Sequence, residues 1–171
     1  MYVPKCAELG AKKVPVVMWM HGAGQNGADN TSQLDDGAGC IMSLVCEDSG
    51  DYDAVVVAPQ CPAGVFWRDD DVLQSLHELV LYVIDHVPGA DPSRVCLIGF
   101  SMGGDASWKL ALAYPDMPAV IVPICGGPLE SMEPDIPDVP AELLAGEVKI
   151  WAVNAYDDPL VKTAYAKDFL S

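Results

Sequence analysis

The sequence predicts an α/β fold: a three-layer α/β/α sandwich around a mostly parallel sheet. Five short apolar runs, over 14–20, 54–58, 95–100, 119–124 and 148–153, lack the polar alternation of half-exposed strands. Such runs are typical of strands that are covered on both faces. Helical segments separate them, and strand–helix–strand alternation favours a parallel sheet with helices on both faces. We expect one domain over residues 1–171, with no internal repeat.

The clearest helix follows the second apolar run. Asp69, Asp70 and Asp71 place negative charge at its start, which favours a helix N-terminus. Apolar residues then recur on one helical face until Pro88 and Gly89 end the helix. Two more helices are predicted over 34–46 and 101–113, and the segment 126–140, rich in Pro, Asp and Glu, is predicted to be a surface loop.

Composition and charge restrict the class of partner. Hydrophobic residues make up 51% of the chain, which excludes a disordered protein. The 25 acidic and 9 basic residues give a net charge of −16, which argues against nucleic acid or an anionic membrane as a partner. No apolar run approaches the ~20 residues of a membrane span. The start of the chain does not resemble a signal peptide, and the six cysteines form no C-x-x-C pair, so we expect free thiols and a cytoplasmic location.

The motif Gly-Phe-Ser-Met-Gly-Gly at 99–104 directly follows the third apolar run. Gly-x-Ser-x-Gly between a strand and a helix is the signature of a nucleophile elbow, a tight turn that exposes the serine hydroxyl. Gly99 and Gly103 supply the small residues that this turn needs. The following helix N-terminus favours negative charge beside Ser101. We therefore expect Ser101 at the apex of a strand–turn–helix, with strained backbone angles.

Glycine, polar and acidic residues also follow the other strands, at 21–27, 59–62, 125–127 and 154–159. The carboxyl ends of parallel strands meet at one edge of a sheet, where ligands of open α/β sheets bind. The sequence therefore predicts a site at this edge.

Taken together, these segments resemble the α/β-hydrolase superfamily. The resemblance is strongest to the esterase branch that includes predicted peptidases, polyhydroxybutyrate-depolymerase-like proteins and feruloyl or acetyl esterases. The segments 21–27, 58–62, 99–104, 123–127 and 151–159 stand in the family's order and spacing over nearly the whole chain. The resemblance implies a serine hydrolase that cleaves small-molecule carboxylic esters through an acyl-enzyme, without a metal or cofactor.

The resemblance also implies roles for individual residues. Ser101 matches the nucleophile and Asp158 the triad acid, whereas the adjacent Asp157 is expected to face solvent. The backbone amides of Ala23 and Met102 match the two oxyanion donors, and they should point into one space near the Ser101 hydroxyl.

Other residues near the predicted site allow two interpretations. Trp67 either lines an acyl or aromatic pocket or is a packing lid, and Gln60 is a candidate for substrate binding. His21 is interpreted as a structural imidazole that holds its loop, with a catalytic role as the alternative. His77 and His86 lie off the apolar face of their helix and are expected to be exposed to solvent.

The chain departs from the family pattern in one respect. The family runs Ser, acid, His along the chain, and no histidine follows Asp158. We therefore expect a hydrolase domain that is incomplete at its C-terminus, is weak or inactive, and self-associates through an exposed sheet edge. The alternative is a non-catalytic α/β-hydrolase-like domain that binds a ligand or partner.

Overall fold

The computed structural model describes residues 1–34, 52–127 and 147–159. In chain order they form α1 (Lys5–Glu8), β1 (Val14–Met20), a 3₁₀ turn (Ser32–Leu34), β2 (Val55–Val57), α2 (Asp70–His86), β3 (Ala90–Phe100), α3 (Met102–Ala113), β4 (Val120–Ile124) and β5 (Lys149–Ile150). Strands therefore form at all five apolar runs that the sequence indicates.

The strands form one sheet in the order β2-β1-β3-β4-β5, and every neighbouring pair is parallel. A single bridge between Tyr2 and Val56 is antiparallel. The predicted α/β class with a mostly parallel sheet is confirmed. Because the strands run the same way, the segments that leave β1, β3 and β4 emerge at the same edge.

The main core lies between the sheet and the two long helices. Met18, Leu97 and Ile121 are in register across β1, β3 and β4, and all three are fully buried. Leu76 of α2 and Trp108 of α3 belong to the same buried cluster. Both helices therefore cover one face of the sheet. This arrangement is one half of the three-layer α/β/α architecture.

A smaller cluster lies on the opposite face of the sheet. It contains Trp19, Val56 and Ala58, with Ile98 and Ile124 packed against it. The helix predicted over 34–46 lies outside the described residues except for Leu34, which ends the 3₁₀ turn. Most of the predicted surface loop 126–140 also lies outside them.

β3 and β5 differ from their predicted bounds by more than one residue. β3 begins at Ala90 rather than at residue 95, because Ala90 pairs with Val14 before an irregularity in the register. β5 covers only two residues, although Val153 forms a further parallel bridge to Ile124. Within the part of the chain that the structure describes, no helix is long and apolar enough to cross a membrane.

Candidate active site

Ser101 occupies a strained turn between β3 and α3. Its backbone angles are φ 52° and ψ −115°, whereas β3 ends at Phe100 and α3 begins at Met102. Its N–H donates to the carbonyl oxygen of Ile124 in β4 at 2.8 Å, so the turn is tied to the neighbouring strand. A positive φ is uncommon for a residue other than glycine and clusters at functional sites. The strained backbone predicted for Ser101 is confirmed.

Glycines allow α3 to approach the sheet at this turn. A Cβ atom at Gly103 would lie 2.0 Å from the carbonyl oxygen of Met20 and 2.9 Å from that of His21. A Cβ at Gly99 would lie 1.9 Å from the carbonyl oxygen of Gly103. These distances allow no side chain. The N-terminus of α3 therefore lies directly against the end of β1 and the start of the loop that follows it.

The loop after β1 passes beside the end of β3. A Cβ at Gly22 would lie 3.0 Å from the ring of Phe100, and Gly24 has a φ of +102°. Ala23, between these glycines, is exposed. Among the hydrogen bonds of the described residues, none is donated by the N–H of Ala23 or of Met102. Both amides are thus unused by secondary structure, and each belongs to a segment that adjoins the Ser101 turn.

His21 is buried, and both of its ring nitrogens are engaged. The N–H of Cys61 donates to Nε2 at 2.9 Å, and Nδ1 lies 2.7 Å from the carbonyl oxygen of Gly22. Since a backbone N–H can only donate, Nε2 is the acceptor and Nδ1 carries the proton. Burial lowers the pKa of His21, which keeps the imidazole neutral. The interpretation of His21 as a structural imidazole agrees with this geometry.

Trp67 is not a pocket wall, which corrects one of its two interpretations. It is 1% exposed, and its indole N–H donates to the carbonyl oxygen of His21 at 2.9 Å. Its ring centroid lies 4.9 Å from that of His21. Trp67 therefore packs beneath the loop, as the packing interpretation expects.

Gln60 forms hydrogen bonds within the protein through both polar atoms of its side chain. Its Nε2 donates to the carbonyl oxygen of Gln25 and to Oδ1 of Asp29, each at 3.1 Å. Its Oε1 accepts from the N–H of Asn30 at 2.8 Å. These contacts give the carboxamide a role inside the loop, and substrate binding by Gln60 stays a prediction. The signal that sequence reasoning lacked is the contact between two loops that are 35 residues apart.

Asp158 follows the last bridge of the sheet. The N–H of Cys125 donates to the carbonyl oxygen of Val153 at 2.7 Å, which ties the end of β4 to the segment after β5. Asp158 is half-buried, whereas Asp157 is exposed, in line with the expectation for Asp157. Both acids lie at the same sheet edge as Ser101, beyond the intervening strand β4.

The two histidines of α2 are differently placed. His86 is exposed, as expected, and its Nδ1 lies 2.9 Å from the carbonyl oxygen of Tyr82. His77 is only half exposed, which corrects the prediction, because its ring stacks on Tyr114 with centroids 3.9 Å apart. That contact joins α2 to the end of α3, and no local sequence pattern indicates it.

Phe100 is the residue at this edge that sequence reasoning missed. It precedes Ser101, packs against Gly22 and leaves 39% of its surface exposed. A large apolar side chain beside the Ser101 turn offers a surface to an apolar group. Its position in the Gly-x-Ser-x-Gly motif, directly before Ser101, could have indicated that its side chain lies beside the site.

Comparison with known structures identifies similar folds. The sequence matches no protein-family model and none of the curated proteins. The structure is similar to a thermostable esterase, with a TM-score of 0.79 and 27% identity over 97% of this chain and 44% of that one. It is also similar to a phospholipase/carboxylesterase from Dyadobacter fermentans, with a TM-score of 0.63 and 18% identity over 98% of this chain and 81% of that one.

A third similar structure is a ferulic acid esterase from Anaeromyces mucronatus, in complex with ferulic acid. The TM-score is 0.57 and the identity 17%, over 94% of this chain and 66% of that one. The chain spans less than half the length of the thermostable esterase, 44%. These similarities establish the α/β-hydrolase fold, and the resemblance is to proteins of its esterase branch.

Proposed function

We propose that this α/β hydrolase, whose fold resembles that of esterases, attacks carboxylic esters with the hydroxyl of Ser101. The observation that carries the proposal is the backbone of Ser101, with φ 52° and ψ −115° at the N-terminus of α3. Such strain costs roughly 1–3 kcal/mol and persists only where the surrounding structure imposes it. A nucleophile elbow accounts for this strain, because the turn presents the hydroxyl at the site edge of the sheet.

In the proposed reaction, Ser101 Oγ bonds to the ester carbonyl carbon while its proton passes to water or to an added imidazole. The carbonyl electron pair moves to oxygen, and the tetrahedral intermediate collapses with loss of the alcohol, which takes up a proton. Water then attacks the acyl-enzyme and releases the carboxylic acid and the serine hydroxyl. The N–H groups of Ala23 and Met102 are the proposed oxyanion donors, and losing one such donor typically costs about 3 kcal/mol.

Asp158 is the proposed acid that orients an imidazole base. The chain's three histidines do not suit the role of that base, since His21 already uses both ring nitrogens and the other two lie on α2. We therefore expect weak turnover from this chain of 171 residues. Without an activating base the Ser101 hydroxyl is a weak nucleophile, so its attack on the ester is slow, and the turnover that we expect depends on that hydroxyl.

The engaged nitrogens of His21 favour a second candidate function, a non-catalytic domain that binds a ligand or partner at the same edge. The two functions differ in what they require of Ser101. An esterase loses its activity when the hydroxyl is removed, whereas a binding domain has no Ser101-dependent turnover.

The test is hydrolysis of p-nitrophenyl acetate by the wild-type chain, Ser101→Ala and Ser75→Ala. Ser75 is a matched control, because it is exposed on α2 and its hydroxyl bonds to the carbonyl oxygen of Asp71. We expect Ser101→Ala to abolish the turnover above background and Ser75→Ala to leave it unchanged. Equal rates for all three proteins would reject the esterase function and favour the binding domain.

A further inference from the structure

We propose that Gln60 is a positioning residue that, together with the backbone of Cys61, fixes the Ala23 amide for oxyanion binding. This inference rests on the proposed function, because it gives Ala23 the role of a donor. In this proposal Gln60 does not contact the substrate but positions the loop that follows β1.

Residues 60 and 61 hold that loop at both of its ends. At the start, the N–H of Cys61 donates to Nε2 of His21 at 2.9 Å. At the far end, the Gln60 side chain donates to the carbonyl oxygen of Gln25 at 3.1 Å, and the N–H of Gly27 donates to the carbonyl oxygen of Cys61 at 2.9 Å. One dipeptide therefore fixes both ends of the segment 21–27.

The Gln60 carboxamide is itself rigidly held. It bonds to Asp29 and Asn30 as well as to Gln25. A Cβ at Gly27 would lie 2.8 Å from its Nε2, so the carboxamide packs directly on the loop backbone. The hydroxyl and N–H of Ser32 also donate to the Asp29 carboxylate and lower its pKa, which keeps this acceptor ionised. Because the carboxamide is held in place, its hydrogen bond to Gln25 fixes the position of the loop backbone.

Ala23 lies between the two ends of the segment 21–27, and its position depends on the contacts that hold those ends. Among the described hydrogen bonds, none is donated by the N–H groups of residues 22–24. Glycine on each side of Ala23, with Gly24 at φ +102°, leaves the backbone there many conformations once an end is released. An oxyanion donor is effective when its direction is fixed before the reaction. Loss of the Gln60 contacts should therefore disorder the Ala23 amide while the core stays intact.

The experiment compares wild type, Gln60→Ala, Gln60→Glu and Gln74→Ala. Gln60→Glu keeps the shape but loses both donor hydrogens, and it faces the carboxylate of Asp29. Gln74→Ala is the matched control, because Gln74 is an exposed glutamine on α2 that bonds to Glu78. Two quantities are measured: the ¹⁵N order parameters of Ala23 and Met102, and the Ser101-dependent kcat and KM for p-nitrophenyl acetate.

In both Gln60 variants we expect the Ala23 order parameter to fall from about 0.85 to below about 0.6, with that of Met102 unchanged. We expect kcat to fall between about 10- and 100-fold while KM stays close to wild type. Unchanged Ala23 order, or equal losses at Ala23 and Met102, would overturn the inference, as would a rise in KM with kcat retained. If wild type shows no Ser101-dependent turnover, the proposed function fails, and the order parameters alone decide whether Gln60 holds Ala23.

Discussion

Replacing Gly103 with alanine tests the close approach of α3 to β1, on which the geometry of the site depends. The added Cβ would lie 2.0 Å from the carbonyl oxygen of Met20 and 2.5 Å from its carbonyl carbon. Both atoms belong to the backbone of a strand with partners on both sides, so neither can rotate away. Relief requires a shift of roughly 1 Å between the helix and the sheet, since real Cβ contacts stay beyond 3.0 Å.

Overpacking of a core typically costs 1–3 kcal/mol. Because the clash is with backbone atoms that cannot rotate away, we expect Gly103→Ala to lie at the upper end of this range, at about 3 kcal/mol. Alanine regains up to about 1 kcal/mol through its better helix propensity, so we expect a net loss of roughly 2–3 kcal/mol. The shift would also move the N-terminus of α3 relative to the loop that follows β1, so we expect activity to fall with stability.

The assay is urea unfolding followed by circular dichroism, with Gly64→Ala as the control. Gly64 has a φ of +83°, and a Cβ there would meet no atom within 4 Å. Alanine at Gly64 therefore costs only the backbone strain, about 1–2 kcal/mol before the gain from a less flexible unfolded chain. A loss at Gly103 no larger than that at Gly64 would show that α3 does not approach β1 this closely.

Four further outcomes follow from the site. Because burial lowers the pKa of His21, the unfolded state takes up the proton first, and the free energy of unfolding should fall as the pH drops below about 6.5. His21→Gln, which keeps an acceptor, should make the free energy of unfolding depend less steeply on pH. Equal pH dependence of the two proteins in urea titrations would contradict this. Burial raises the pKa of the Cys61 thiol to about 11, so iodoacetamide at pH 8 should leave Cys61 unmodified in the folded chain and alkylate it in urea, as peptide mapping can check. With imidazole added as an external base, Asp158→Asn should lower the Ser101-dependent rate and Asp157→Asn should not, and the reverse order would refute the assignment. Phe100→Ala should raise KM for an aromatic acyl ester more than for an acetyl ester, and equal changes would show that its ring does not face the acyl group.

The fold could be predicted from the sequence because its signals are local. Buried parallel strands are continuous apolar runs, so the segments 14–20 and 119–124 agree with β1 and β4 to within one residue. The turn at Ser101 was predictable for the same reason, since the glycines that allow it are its neighbours in sequence. The start of β3 and the bounds of β5 were harder to predict. Among the described strands β5 pairs with β4 alone, and its apolar run extends beyond the regular ladder.

The surroundings of Gln60, Trp67 and His77 could not be predicted from the sequence, because each side chain contacts a residue that is distant in sequence. Trp67 bonds to a carbonyl 46 residues away, and Gln60 to one 35 residues away. A polar or aromatic residue after a strand has the same local pattern whether it faces a substrate or another loop. His77 lies off the apolar face of α2 and is nevertheless half covered, since Tyr114 stacks on it.

The central claim is that Ser101 is a nucleophile, and covalent labelling tests it most directly. The native chain is treated with a fluorophosphonate in the presence of imidazole, and the adduct is located by intact mass and peptide mapping. We predict a single adduct on Ser101 that is absent from Ser101→Ala, retained in Ser75→Ala and lost when the chain is unfolded in urea before treatment. No adduct, or one that forms equally on Ser75 and in the unfolded chain, would contradict the account.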